Sequence, residues 1–199
     1  LKKLINIYIM PKPTVSIGYY PIRGKAQVCR LVCEYLGVNY ADPFFRSSSG
    51  TGEKREAQDA SIKELPYLQE AEFRITGSIP MCLYIIDRFS NGELLGKNLK
   101  DQAIVDMYLW TIDAMSGIIN ITVRKKHKMK LDNLKNINGE MLLPQKYRNM
   151  KILNLEQLFI DYLTIIDFSI YELMNYMELI FGNKVREFPK LMNITHKLG

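Results

Sequence analysis

The chain has 199 residues, 47% of them hydrophobic and 24% charged, with a net charge of +6 and a pI near 9.1. That length allows one or two domains around a real core, and no run approaches the ~20 apolar residues of a membrane-spanning helix. The mild positive surplus favours anionic small ligands without implying nucleic-acid binding: the densest basic run, residues 124–130, has no interleaved aromatics and reads as a solvated helix end or loop.

The opening ten residues have a basic start and a short apolar stretch interrupted by Asn6, with no small-residue cleavage site, which makes a poor signal peptide. The native protein is expected to begin at Met10, and residues 1–13 are read as an extension before the first strand. Thr14-Val15-Ser16-Ile17-Gly18-Tyr19 alternates with period two and predicts a strand that Pro21 ends. From Gly24 onward Ala26, Val28, Cys29, Val32, Cys33 and Leu36 recur at helical spacing, with Gly37 as a left-handed stop. Val38-Asn39-Tyr40 is a second short strand, so a parallel pair with a crossover helix is expected. Residues 46–52 are loop and 53–63 a short charged helix. Tyr67-Leu68-Gln69 and Phe73-Arg74-Ile75 form a hairpin through Glu70-Ala71-Glu72. A helix then begins at Ser78 and runs through Phe89, with Pro80 in its first turn, where a missing N–H costs nothing.

Residues 91–96 read as a linker, and the remainder is helical: 101 to about 124, 146–159, and a segment opened by Thr164-Ile165-Ile166-Asp167. That tetrapeptide has the spacing of a capping box, flanked by Leu163 and Phe168 as a hydrophobic staple. Ile170, Leu173, Met174, Met177 and Ile180 assign the helix that follows to the core. The three cysteines, an odd count without framework spacing, argue for a reducing compartment. Cys29 and Cys33 share a helix face, but His127 and His196 are far away in sequence, so the thiols are read as small buried apolar groups and no metal site is expected.

The order βαβ, helix, ββα is that of a thioredoxin-like fold. Gly18-Tyr19-Tyr20-Pro21-Ile22-Arg23-Gly24, Glu64-Leu65-Pro66-Tyr67-Leu68 and Ile75-Thr76-Gly77-Ser78 together resemble the glutathione-binding half of a cytosolic glutathione S-transferase, closest to the mu and sigma classes. The capping box is familiar in that family's helical domain, so the resemblance reaches both halves. It implies an α/β N-terminal thioredoxin-like domain (βαβ–ββα) at 14–90 and an all-α C-terminal domain at 98–199. The helical domain is read as shortened, because the chain ends soon after Phe188-Pro189-Lys190-Leu191, where the family usually continues, and because residues before Leu163 are missing. The implied activity is that of a cytoplasmic, homodimeric detoxification enzyme that conjugates the glutathione thiolate to hydrophobic electrophiles. Glutathione would be its co-substrate; no other cofactor, nucleic acid or membrane is implied. One alternative is a non-catalytic relative that binds ligands or serves as a structural, crystallin-like protein. A glutathione-binding module within a larger assembly is a third reading.

Conjugation needs a thiolate, and an ordinary thiol with pKa near 8.5 is only ~3% ionised at pH 7. A rigid hydroxyl donating to the sulfur anion lowers that pKa, and a neighbouring helix N-terminus adds favourable potential. By the resemblance Tyr19 is the catalytic hydroxyl and Tyr20 the runner-up; strand alternation lets only one of the two face the sulfur. A tyrosine packing its ring at a strand end is the bland alternative. Arg23 is either a ligand contact or a partner for an acid such as Asp87. By the resemblance to thioredoxin-like folds the bond before Pro66 is cis, turning the Leu65 backbone toward the peptide's cysteine, with a plain turn proline as the alternative. Ser78 is expected as a helix N-cap and, by the resemblance, as a contact for the γ-glutamyl carboxylate. Gly77 stands where the family has Gln or Glu, which removes one side-chain contact. Asp113 matches the helical-domain aspartate that reaches across a dimer to the γ-glutamyl ammonium, with a solvated carboxylate as the alternative. Lys54 or Arg55 lies closest to the family's cation for the glycine carboxylate, and the tryptophan mu-class proteins place nearby is absent. Tyr108, Met115 and Ile119 are candidates for the hydrophobic substrate site, each with core packing as the alternative.

Overall fold

The computed structural model describes residues 14–44, 64–128 and 160–181. It divides into two compact units, Leu1–Asn91 and Gly92–Gly199. The proposed extension at 1–13, the loop and helix expected over 46–63, and the helix expected over 146–159 lie outside the described residues.

In the first unit, strand β1 is Val15–Gly18, one residue shorter at each end than its alternation suggests. Tyr19 makes only an isolated parallel bridge to Phe44. A tight turn before the next helix, with the Ile22 N–H on the Tyr20 carbonyl at 2.7 Å, draws the chain out of strand geometry. A 3-10 turn, Gly24–Ala26, leads into α1, Gln27–Leu36. Gly37 caps α1 at φ 65°, its N–H reaching the Cys33 and Glu34 carbonyls, and the Val38 N–H joins Cys33 at 2.9 Å. Glycine carries this left-handed conformation without the Cβ clash other residues meet. Strand β2, Tyr40–Ala41, pairs parallel to β1, so the crossover around α1 is present as expected.

Strands β3, Tyr67–Glu70, and β4, Phe73–Thr76, form a hairpin across Ala71 and Glu72; Glu70 belongs to the strand, opposite Phe73. Helix α2 runs Ser78–Ser90. The sheet order is β2-β1-β3-β4, with β1 antiparallel to β3 and Ile17 opposite Leu68. The fold class expected from sequence is therefore present: a mixed four-stranded sheet with helices, followed by a helical unit.

One face of the sheet buries Val15, Ile17 and Leu68. Helices α1 and α2 pack on one another through Cys29, Val32, Cys33, Met81, Cys82, Ile85 and Ile86. Each large apolar side chain removed from water contributes about 1.5–3 kcal/mol, and together they offset the conformational entropy of ordering the chain. The three thiols belong to this core. A hydrogen bond with Cys82, reinforced by burial, holds the Cys29 thiol well above its ordinary pKa, and burial pushes Cys33 up to about 12. These two thiols stay protonated at neutral pH and behave as small apolar groups. Among the described residues no group of His, Cys, Asp and Glu is placed to hold a metal ion. The outer end of α2 is tied to β3 by Glu70, which accepts from the Tyr84 hydroxyl at 2.5 Å and from Arg88 at 3.3 Å.

In the second unit α3 spans Leu99–Lys128, starting two residues earlier and ending later than its sequence pattern suggests. Asn98 sets the start: its side-chain oxygen accepts from the Lys100 and Asp101 N–H groups at 3.0 and 3.1 Å. Val105, Leu109, Ile112 and Met115, at helical spacing, form its buried stripe. Helix α4, Ile165–Phe181, packs on α3 and buries Ile165, Ile166, Phe168, Ile170, Leu173, Met174 and Met177. No described helix is long and apolar enough to cross a membrane.

The cap of α4 differs in detail from a capping box. The Asp167 carboxylate reaches back to the Thr164 N–H at 2.8 Å as expected, but the Thr164 hydroxyl donates to that same carboxylate at 3.2 Å. The backbone carbonyl of Thr164, not its hydroxyl, takes the Asp167 N–H. One carboxylate thus satisfies two donors at a buried helix start, since Thr164 is only 1% exposed. Asp167→Ala is expected to cost about 1–2 kcal/mol in denaturant unfolding, with helical content preserved in the native baseline. An unchanged midpoint would show that the cap does not matter to stability.

Candidate functional site

Alternation along β1 puts Val15, Ile17 and Tyr19 on the buried face, and the Tyr19 ring is only 9% exposed. Its hydroxyl does not end in apolar surroundings. It reaches the start of the first helix, where its oxygen accepts the Lys25 N–H at 3.3 Å. Gly24 makes this approach possible: a Cβ there would lie 2.9 Å from the Tyr19 ring and 3.0 Å from its hydroxyl, and the backbone holds φ at +44°. With one lone pair occupied by an N–H, the phenolic proton is left for a partner elsewhere. Tyr20 sets its ring edge-on to Tyr19, centroids 5.6 Å apart, and is half-buried.

The second motif converges on the same residue. The Leu65–Pro66 bond is cis, as the sequence leads one to expect. The Pro66 carbonyl accepts the Gly77 N–H at 3.2 Å. Ser78 then opens α2, and its hydroxyl donates to the Lys25 carbonyl at 2.7 Å. The Lys25 backbone therefore holds both candidates, its N–H on Tyr19 and its C=O on Ser78. Ser78 is not the N-cap expected from sequence: that position is Gly77, at φ +93°, and it makes no side-chain cap. The physical reason is that the Ser78 hydroxyl is already engaged 53 residues back in the chain. The N–H groups of Ser78 and Ile79 begin the helix without partners within it, and Pro80 has none to offer, which leaves a positive helix end beside Gly77. A Cβ on Gly77 would meet only the Pro80 ring, at 3.4 Å, but the positive φ disfavours any side chain there.

Lys54 and Arg55 lie outside the described residues. In the second unit Asp113 is exposed on α3, Tyr108 is half-buried, and Met115 belongs to the buried stripe at 7% exposure. Ile119 lies further along α3. Sequence reasoning missed Arg30. It is the only charged residue among the buried positions of α1, and it is 8% exposed. The signal was available: a lone arginine on the apolar face formed by Ala26, Cys29 and Cys33 needs a polar partner.

No family model matches the chain. It is 24% identical over 183 residues to the glutathione S-transferase class-mu 26 kDa isozyme of Schistosoma mansoni, covering 89% of this chain and 80% of that one. It is 20% identical over 187 residues to human glutathione S-transferase A3, covering 92% and 83%. The fold superposes on the Pi-class glutathione S-transferase of Onchocerca volvulus with a TM-score of 0.72 at 18% identity, over 93% of this chain and 87% of the other. In sequence along most of its length, and in fold, the chain is similar to cytosolic glutathione S-transferases. These glutathione S-transferases carry mu, A3 and Pi labels, so the family is common ground while the class is not singled out. Within this fold, Tyr19 and Ser78, distant in sequence, meet at the backbone of one residue, Lys25, on the two peptide groups that flank its Cα.

Proposed function

We propose that this protein is a glutathione transferase in which the Tyr19 hydroxyl, keeping its proton, donates a hydrogen bond to the glutathione sulfur and so keeps the sulfur ionised. The observation that carries this reading is the Lys25 N–H on the Tyr19 oxygen, which orients the phenol at the start of the first helix. Leu65 and Pro66 would align the tripeptide backbone, with Tyr20 beside it. Gly77, Ser78 and the α2 N-terminus would receive the γ-glutamyl carboxylate, and Lys54 or Arg55 the glycine carboxylate. Once the Ser78 hydroxyl turns toward a carboxylate, its bond to Lys25 is given up, so binding the peptide and adjusting Tyr19 are linked steps. Tyr108, Met115 and Ile119 are proposed for the hydrophobic electrophile. A mu- or sigma-like class, a detoxifying role and a cytoplasmic setting are parts of the same proposal. The direct test is retention on immobilised glutathione followed by turnover of a chromogenic aryl halide. A chain that neither binds nor turns over would return the structural, crystallin-like reading.

A homodimer belongs to this proposal. Helix α3 carries a second apolar stripe, opposite its buried one: Leu99, Ala103, Met107, Trp110 and Ala114, all exposed, with Trp110 at 63%. At 100° per residue these five share one face, bordered by Asp106 and Asp113. A second copy of the chain is the occupant we assign to it. Trp110→Glu is expected to weaken the dimer at least ~10-fold by sedimentation, as a buried aromatic anchor replaced by a charge does. An unchanged association constant would remove this face from the interface.

A further inference from the structure

We propose that Arg30, through its ion pair with Asp42, is the positioning residue that aims the Tyr19 hydroxyl; the catalytic consequence rests on the transferase reading above. Two contacts locate Tyr19 outside its own strand: the backbone bridge to Phe44 and the Lys25 N–H on its oxygen. Arg30 holds the segment leading to each. One terminal nitrogen donates to the Ile22 carbonyl at 2.9 Å and, at 3.4 Å, to the Arg23 carbonyl and the Gln27 side chain. That fixes the turn which delivers Gly24 and Lys25 to the phenol. The other terminal nitrogen donates to one Asp42 oxygen at 3.1 Å, and Nε lies 2.8 Å from the other as a charge contact without hydrogen-bond geometry. Asp42 lies just beyond β2 and two residues before Phe44. One guanidinium thus clamps the chain after Tyr19 in sequence and the chain beside it in space.

The chemistry of the clamp requires arginine. A planar guanidinium presents donors in two directions at once, one terminal nitrogen to the carboxylate and the other to carbonyls; a lysine ammonium is a single point charge and cannot hold both segments in one geometry. The side chains of Arg30 and Asp42 are 10% and 24% exposed, so the pair is shielded from solvent and its loss is not made good by water. Glycine at position 24 places no side chain between the turn and the phenol, so a shift of the turn passes directly to the Lys25 N–H.

The test uses Arg30→Lys and Asp42→Asn, which keep volume and most packing, in the full chain. The first readout is independent of any ligand: the Tyr19 Cζ resonance of ring-labelled protein, assigned with Tyr19→Phe. Both variants are expected to move or broaden it while the Tyr84 and Tyr162 resonances stay in place. The second readout is the ultraviolet absorbance of bound glutathione thiolate against pH. Each variant is expected to raise the apparent thiol pKa by about one unit, lowering kcat/KM about threefold at pH 7 and approaching tenfold as pH falls below about 6, with the glutathione KM changed less than about twofold. At pH above the shifted value the rates converge. An unmoved Tyr19 resonance in both folded variants overturns the positioning role. A resonance moved in the variants, with no thiolate absorbance in the parent protein, retains the clamp and overturns the transferase reading instead. If both variants fail to fold, Asp42→Glu, which keeps the charge but lengthens the arm, must displace the resonance while Gln27→Ala, which removes only a 3.4 Å contact, leaves it in place; an unmoved resonance in Asp42→Glu overturns the proposal.

Discussion

Tyr19→Phe is expected to lower kcat/KM for glutathione conjugation at pH 7 by about 25-fold or more. The size follows from ionisation. A donated hydrogen bond that lowers the thiol pKa by about two units leaves roughly three quarters of it as thiolate at pH 7, against ~3% without it. Phenylalanine preserves the ring that β1 packs on its buried face, so the fold is retained. Loss of the acceptor leaves the Lys25 N–H without its partner at 3.3 Å, a cost of about 1 kcal/mol. The sign of the pH dependence is fixed by the same argument. In the variant the thiol ionises only as pH rises through about 8.5, so the two rates approach each other in alkaline solution and diverge most at neutral pH and below. A stopped-flow or steady-state profile from pH 6 to pH 9 checks it. Equal rates across that range would remove Tyr19 from the chemistry.

Ile17→Ala is expected to destabilise the first unit by about 2–5 kcal/mol, because the lost apolar contact is compounded by a cavity the core does not close. Ile17 is fully buried, lies on an interior strand bonded on both edges, and stands opposite Leu68, itself fully buried. Ile22, 58% exposed, is the control, and Ile22→Ala should stay within about 0.5 kcal/mol of the parent. Activity of the Ile17 variant should fall in step with its unfolding on warming, since Tyr19 is carried two residues beyond the altered side chain. Urea denaturation followed by circular dichroism separates the two variants; equal midpoints would mean that β1 is not the centre of this core.

Much of this protein was legible from local pattern. Period-two alternation before Pro21, helical spacing from Ala26 to Leu36 and the punctuation of Gly37 and Pro80 located the elements within a residue or two. These signals are readable because strand and helix each expose a fixed periodicity to a core. The boundaries that moved did so for specific reasons. Asn98 caps α3 ahead of the apolar pattern, and the turn after Tyr20 ends β1 early. Ser78 stood out in sequence as a cap because a serine at a helix start usually serves its own helix. Here its hydroxyl crosses to Lys25 instead, a pairing no local rule anticipates.

By itself the amino-acid sequence determined the element order and the buried faces; the resemblance to a known family added the cis bond before Pro66 and singled out Tyr19 and Ser78 as candidates. Only the tertiary structure decided which polar groups meet: the Lys25 backbone between Tyr19 and Ser78, and Arg30 between the 20–24 turn and Asp42. The reason is physical. Burial is a property of each residue in its own periodic element, whereas a hydrogen bond depends on distance and angle between chain segments. Those are set by sheet order and helix packing, not by neighbours in the chain.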